Sequence, residues 1–218
     1  MVNELVNKLN VKPFKRIRVI RTIGGKVANA MVTGINNREL ILTEKLLEVL
    51  DKDELKAVLA HEVTHHKYKH VELSMIIWVV TGILIFSAFS YGVEYLRRLR
   101  YSMIDSWETI FFIVYMVLYI IAFASLILIS RYFTRRAERK ADLEAAKLVE
   151  DPRAYIRALA KITVVNLGPM KVGKILEKFE THPPPLKRML EAAKVYNISE
   201  EEVKEIINNV VNELSKAG

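Results

Sequence analysis

The sequence predicts a helix-dominated α+β fold with a small N-terminal antiparallel sheet, interrupted by a two-helix transmembrane hairpin. Three observations point there. Residues 73–93 and 109–130 contain no Asp, Glu, Lys or Arg, although the sequence around them is densely charged. Residues 16–43 hold three short runs rich in β-branched residues, separated by the turn-forming pairs Gly24-Gly25 and Asn36-Asn37. Most of the remainder is built from helix formers, as in DELKAVLAHEVTHHKYKH and RYFTRRAERKADLEAAKLVE.

Composition narrows the class further. The 218 residues suffice for one compact domain with an appendage. Apolar types at 51 % and charged types at 27 % exclude wholesale disorder. The absence of cysteine excludes a disulfide scaffold, a thiolate metal site and a cysteine nucleophile. A net charge of +8 suits either nucleic acid or an anionic membrane surface, and its placement along the chain must decide.

Taken in order, strands are expected around residues 16–23, 27–34 and 38–43. A helix starts at Asp51, with Glu54 as its capping-box partner, and runs through His70 towards the first apolar stretch. After the second stretch a helix continues until Asp151-Pro152 stops it. Shorter helices follow, broken at Asn166–Pro169 and Pro183–Pro185, and Ser199 with Glu202 forms a capping box for the last. The expected organisation is 1–72 for the sheet and motif helix, 73–130 for the hairpin and 131–218 for the rest of the domain.

At about 1.5 Å per residue, each uncharged run spans roughly 30 Å, the hydrocarbon thickness of a bilayer. Burying two such helices, apolar on every face, would exhaust the interior of a soluble protein this small. The runs begin too late for a signal peptide, and the opening MVNELVNKLN is polar. The connecting loop 94–108 carries Arg97, Arg98 and Arg100, whereas Lys67, Lys69, Arg131, Arg135, Arg136, Arg139 and Lys140 flank the other side. Positive-inside bias therefore expects both termini, and with them the folded domain outside the hairpin, in the cytoplasm, in a two-span protein of the cell membrane. Tyr91, Tyr95, Trp107 and Tyr132 fall at the span ends, where amphipathic rings favour the interface. Anionic head groups account for the basic excess, so a lipid bilayer is the expected partner and nucleic acid is not.

The chemistry is concentrated in one helix. Four of the five histidines lie between positions 61 and 70, and His61-Glu62-Val63-Thr64-His65 has the HExxH form. Residues four apart share a helix face, so both imidazoles can reach one ion, while Glu62 lies beside them as a proton acceptor. Zinc accepts imidazole and carboxylate ligands, keeps one position for water and lowers that water's pKa to roughly 7. The apolar stripe Leu55, Val58, Leu59 and Val63 turns the histidine face inward, whereas His66 and His70 fall off it and read as solvated or interfacial. Zinc then needs one more ligand. The candidates are His182 and the carboxylates of the later helix, among them Glu138 and Asp142, four apart. Glu138 is suited to the metal and Asp142 to a hydrogen bond that fixes a ligand imidazole's tautomer.

This pattern, HExxH, a membrane hairpin and Glu138-x-x-x-Asp142, resembles the integral-membrane zinc metalloproteases that include HtpX and the type I CAAX prenyl protease. The likeness runs from about residue 27 to 190 and takes in Asn29-Ala30, DELKAVLAHEVTHH, RRAERKADLEAA and Thr181-His182-Pro183-Pro184. It implies a zincin-like domain with one zinc per chain held by His61, His65 and Glu138. Glu62 is then the general base, Asp142 the support beyond the third ligand, and His182 a substrate- or transition-state-binding residue. It also implies that Asn29 and Ala30 lie on a sheet edge where an extended substrate docks by strand addition. Thr64 stands where the family commonly has glycine, and three prolines follow His182 rather than two. The expected activity is a membrane-anchored zinc endopeptidase acting on protein or peptide substrates. The competing readings are a prenyl-protein protease and a non-catalytic basic membrane adaptor.

Overall fold

The computed structural model describes residues 1–34, 39–100, 105–170 and 183–217. The chain opens with α1 (Val2–Lys8), a segment to which the sequence reading assigns no element. Val2, Leu5, Val6 and Leu9 recur at helical spacing, and Leu5 and Val6 are fully buried. Then come β1 (Arg16–Ile20), β2 (Ala30–Thr33), β3 (Glu39–Thr43) and a short α2 (Glu44–Val49).

The sheet is mixed, not antiparallel throughout. Its order is β1-β3-β2. β2 runs antiparallel to β3, pairing Ala30 with Leu42 and Thr33 with Glu39. β1 runs parallel to β3, pairing Arg16 with Glu39 and Ile20 with Thr43. The reason lies in the connection after β1. Gly24 and Gly25, at φ 75° and 62°, do not close a tight hairpin; they sit inside a longer connection over residues 21–29. That length lets the chain reverse and leave a strand-wide gap, which β3 fills. The Asn36-Asn37 turn lies outside the described residues.

α3 (Lys52–Lys67) starts as its cap residues dictate. Asp51 Oδ1 accepts from the N–H groups of Asp53 (2.9 Å) and Glu54 (2.8 Å), and Glu54 Oε2 accepts from Asp51 N–H at 3.0 Å. The Glu54 carboxylate is wholly buried and faces Lys161 Nζ at 3.1 Å and Arg157 Nε at 3.4 Å. Contrary to the expected unbroken run, the helix stops at Tyr68 and Lys69. Lys69 is left-handed (φ 51°), and a new helix, α4 (His70–Arg100), begins. α5 (Asp105–Leu148) is one continuous helix carrying both the second apolar run and Glu138. Asp151 caps α6 (Pro152–Val165) by accepting from Arg153 N–H at 2.9 Å, with Pro152 in the first turn. α7 (Pro185–Lys194) and α8 (Glu200–Ala217) complete the chain. Ser199 Oγ accepts from Glu202 N–H at 3.1 Å, but the Glu202 carboxylate is held by Arg153 Nε at 2.6 Å instead of closing the box.

Residues divide into two units, Met1–Glu72 with Thr134–Gly218, and Leu73–Phe133. In the first, α3 is almost entirely enclosed from Ala57 to Thr64. Leu5, Leu40, Leu46, Ala145, Tyr155, Ile156, Met189 and Val203 are among the core residues around it. Alanines 57, 60, 141, 145 and 158 are all fully buried and permit close helix approach. In the second unit two helices contact each other through Tyr115, whose hydroxyl donates to the carbonyls of Ala88 (3.1 Å) and Phe89 (3.0 Å). A Cβ at Gly92 would run into the Tyr115 ring, so any larger residue there forces the ring to move. The segments Glu72–Arg98 and Thr109–Leu148 are long and apolar enough to cross a membrane, and neither apolar window has any share buried in the protein. A soluble core helix would be enclosed, so that alternative does not describe them.

Candidate metal centre

The α-helical repeat sets His61 and His65 on one face of α3, with their Nε2 atoms 3.0 Å apart. The other nitrogen of each ring is engaged elsewhere. His61 Nδ1 lies 3.0 Å from Asp142 Oδ1, and His65 Nδ1 lies 2.9 Å from His70 Nδ1. When each Nδ1 carries the ring proton, both Nε2 lone pairs point to a common spot. α5 delivers Glu138 to that spot, with Oε1 3.2 Å from His65 Nε2 and Oε2 3.6 Å from His61 Nε2. One ligand atom from each of the three residues lies within 4.8 Å of the others.

The donor chemistry fits a divalent metal: two imidazoles and a carboxylate, with a fourth position left over. The electrostatics fit as well. Burial alone would depress His61, but the carboxylates of Asp142 and Glu138 outweigh it and push its pKa up to about 10. Two nearly buried carboxylates thus favour positive charge at the point where the nitrogens converge.

Glu62 lines a cavity of about 210 Å³ together with Asn29, Ala30, Tyr155 and Arg188. Burial pushes its carboxyl up, while His61 and His65 pull it back down and the backbone of Val32 hydrogen bonds to it. Asp142 is the most heavily bonded group in the site. It accepts from Tyr155 Oη at 2.5 Å, from Arg188 Nε at 2.9 Å and from Arg188 Nη2 at 2.8 Å, in addition to its contact with His61. Burial would raise its pKa, yet Arg188 and His61 hold it well below the usual carboxylate range. Arg188 Nη2 also lies 3.9 Å from Glu138 Oε2.

β2 is an edge strand, and its approach to the cavity is fixed by side chains. Asn166, the C-cap of α6, donates to Ala28 C=O and accepts from Ala28 N–H, both at 2.9 Å. Thr43 Oγ1 accepts from Asn29 N–H at 2.8 Å and donates to Asn29 C=O at 3.2 Å. Asn29 and Ala30 therefore share the cavity wall with Glu62. His182 lies outside the described residues.

Tyr155 and Arg188 escape the sequence reading. Arg188 is adjacent to Lys187 in an ordinary basic stretch, and nothing local sets it apart. Tyr155 carried a weak signal, a large polar ring in the apolar stripe of α6. His66 and His70 also depart from expectation. His66 is buried, stacked on Phe14 (4.6 Å between centroids), with Nε2 2.6 Å from Lys12 C=O. His70 touches His65.

Residues 1–195 match the family model described as Peptidase family M48. The chain belongs to peptidase family M48. Among its relatives, a protease HtpX homolog of Helicobacter acinonychis is 33 % identical over 158 residues, covering 72 % of this chain and 48 % of the relative. The protease HtpX homolog of Pyrococcus furiosus is 30 % identical over 218 residues, covering 89 % of this chain and 73 % of the relative. The M48 chain spans about half the length of the Helicobacter relatives it matches. Its fold is similar to that in the crystal structure of S. mikatae Ste24p, with TM-score 0.69 at 23 % identity, covering 88 % of this chain and 48 % of that one. Membership of this family goes with a metal cofactor.

Proposed function

We propose that this M48 member is a membrane-anchored, zinc-dependent endopeptidase that cleaves membrane-associated or misfolded proteins on the cytoplasmic side. The observation that carries the reading is the meeting of His61 Nε2, His65 Nε2 and the Glu138 carboxylate beside a cavity lined by Glu62.

His61, His65 and Glu138 hold the ion. A bound zinc supplies Lewis-acid polarisation of a peptide carbonyl and acidifies water. Glu62 takes the proton from the attacking water and later returns it to the leaving amine. Burial raises the Glu62 carboxyl above its ordinary value, which favours its taking and holding a proton. Asp142 holds His61 by its Nδ1, and the Arg188 and Tyr155 donors in turn fix Asp142. The open edge of β2 at Asn29 and Ala30 offers backbone groups to an extended substrate, giving affinity with little side-chain selectivity. His182 is assigned to binding substrate or transition state, on the resemblance of Thr181-His182-Pro183-Pro184. The apolar helices lie in the bilayer as a two-span hairpin, with both termini cytoplasmic as the basic flanks favour.

Glu62→Gln tests the reading: the variant retains zinc and does not cleave casein. Retained cleavage refutes the base assignment. Metal analysis of Glu138→Ala separates this function from a basic membrane adaptor, which would hold no stoichiometric zinc in either form. Equal cleavage of prenylated and plain peptides argues against a dedicated prenyl-protein protease.

A further inference from the structure

We propose that His70 is a positioning residue for the metal, its Nδ1 accepting a hydrogen bond from His65 Nδ1–H and so holding His65 Nε2 as a ligand. The proposal rests on the reading of His61, His65 and Glu138 as the metal-binding set. The two Nδ1 atoms are 2.9 Å apart, so one of them must donate. A neutral imidazole has a single ring proton. If Nε2 of His65 is a ligand lone pair, its proton sits on Nδ1, and His70 must present the bare nitrogen. Each ligand imidazole then has its own acceptor: an anionic one, Asp142, behind His61 at 3.0 Å, and a neutral one behind His65.

A straight helix would forbid the contact. Five residues at about 100° each place position 70 roughly 140° round from position 65. The break at Tyr68 and Lys69 removes that obstacle. Tyr68 N–H still reaches Thr64 C=O (3.1 Å) and Lys69 N–H reaches His66 C=O (3.3 Å), after which the left-handed Lys69 turns the chain and returns His70 towards His65. The His70 ring is then held from another direction. Tyr68 stacks on it with centroids 5.7 Å apart and planes 19° off parallel, and Lys140 Nζ lies 3.3 Å from the Tyr68 ring centroid. Lys140 is two residues beyond Glu138 on α5. The helix that supplies the third ligand thus also clamps the turn that places His70.

The test compares zinc affinity by chelator competition, and the visible spectrum of the cobalt-loaded form, for the whole chain in detergent and its His70→Leu and His70→Asn variants. Both substitutions lose the stacking on Tyr68, but only asparagine keeps an acceptor oxygen where Nδ1 stands, so the comparison isolates the hydrogen bond from packing. Removing a partner of a ligand imidazole generally costs 10–100-fold in affinity, so His70→Leu binds zinc more weakly by about that factor and shifts the cobalt bands, whereas His70→Asn stays within about threefold of the parent. Leucine binding zinc as tightly as the parent, or asparagine as weakly as leucine, overturns the proposal and leaves the metal site standing. A parent chain that binds no zinc overturns the metal site itself, and the positioning role with it.

Discussion

Replacing Asp142 with asparagine probes the network behind the proposed metal ligands. The carboxylate has four donors around two oxygens: Tyr155 Oη at 2.5 Å, Arg188 Nη2 at 2.8 Å and His61 Nδ1 at 3.0 Å on Oδ1, and Arg188 Nε at 2.9 Å on Oδ2. An asparagine minimises its losses by keeping its oxygen at the Oδ1 site and turning its amide towards Arg188 Nε. One charge-assisted bond becomes a clash of donors, worth about 1.5–3 kcal/mol. The Arg188 guanidinium, 14 % exposed, loses its main counter-charge and, among the described residues, keeps Glu138 at 3.9 Å. Breaking a buried pair from one side costs about 3–5 kcal/mol in all. At about 2–4 °C per kcal/mol for a chain of this size, the melting temperature of the metal-free protein falls by roughly 6–20 °C. Zinc affinity drops by about 10–100-fold, because His61 loses the anion that fixes its tautomer. Thermal melts followed by helicity, with chelator competition on the same samples, measure both. The double variant Asp142→Asn/Arg188→Met, which removes the stranded cation, recovers much of the stability without the affinity. A melting temperature within about 2 °C of the parent and unchanged zinc affinity would refute the idea that this carboxylate holds the site together.

Three further outcomes are expected. Because His61 is raised to about 10 in the metal-free fold, it is protonated at pH 7 and the metal must displace that proton. Zinc affinity therefore rises about tenfold per pH unit from 7 to 9; the same shift stabilises the metal-free fold fully below the ordinary value of 6.5 and is lost as pH climbs through about 10. Calorimetry across that range showing no proton release contradicts it. Glu54→Ala removes both half of a capping box and a buried counter-ion, but Glu213 (3.3 Å from Lys161) and Asp151 (3.2 Å from Arg157) remain as second partners. A loss of about 2–4 kcal/mol in denaturant unfolding is expected, below the full buried-pair figure. Gly92→Ala drives a methyl into the Tyr115 ring and destabilises the helix pair; in a Tyr115→Ala background the same change is close to neutral, measured by unfolding in SDS.

Several features were legible because they depend on near neighbours alone. Asp51 and Glu54 announce the start of α3 through bonds that span three residues. HExxH places two imidazoles on one face through the helical repeat, and an uncharged run longer than twenty residues declares a helix with no polar face. The strand positions followed from residue type, but the sheet's mixed order did not. Whether β1 turns back beside β2 or leaves room for β3 depends on how residues 21–29 cross, and the Gly24-Gly25 pair is compatible with either.

What the sequence by itself determined is the HExxH pair, His61 and His65, and the local helix that carries it, since both rest on spacing along one helix; Glu138, on a separate helix, stood among several candidates for the third ligand until the family resemblance singled it out. What only the tertiary structure decided is the network behind them. Tyr155 and Arg188 reach Asp142 from α6 and α7, 13 and 46 residues away along the chain, and His70 reaches His65 only because the helix breaks at Lys69. Contacts of that kind are set by how separate helices pack and where backbone direction changes. Neither leaves a periodic trace in the order of the amino acids.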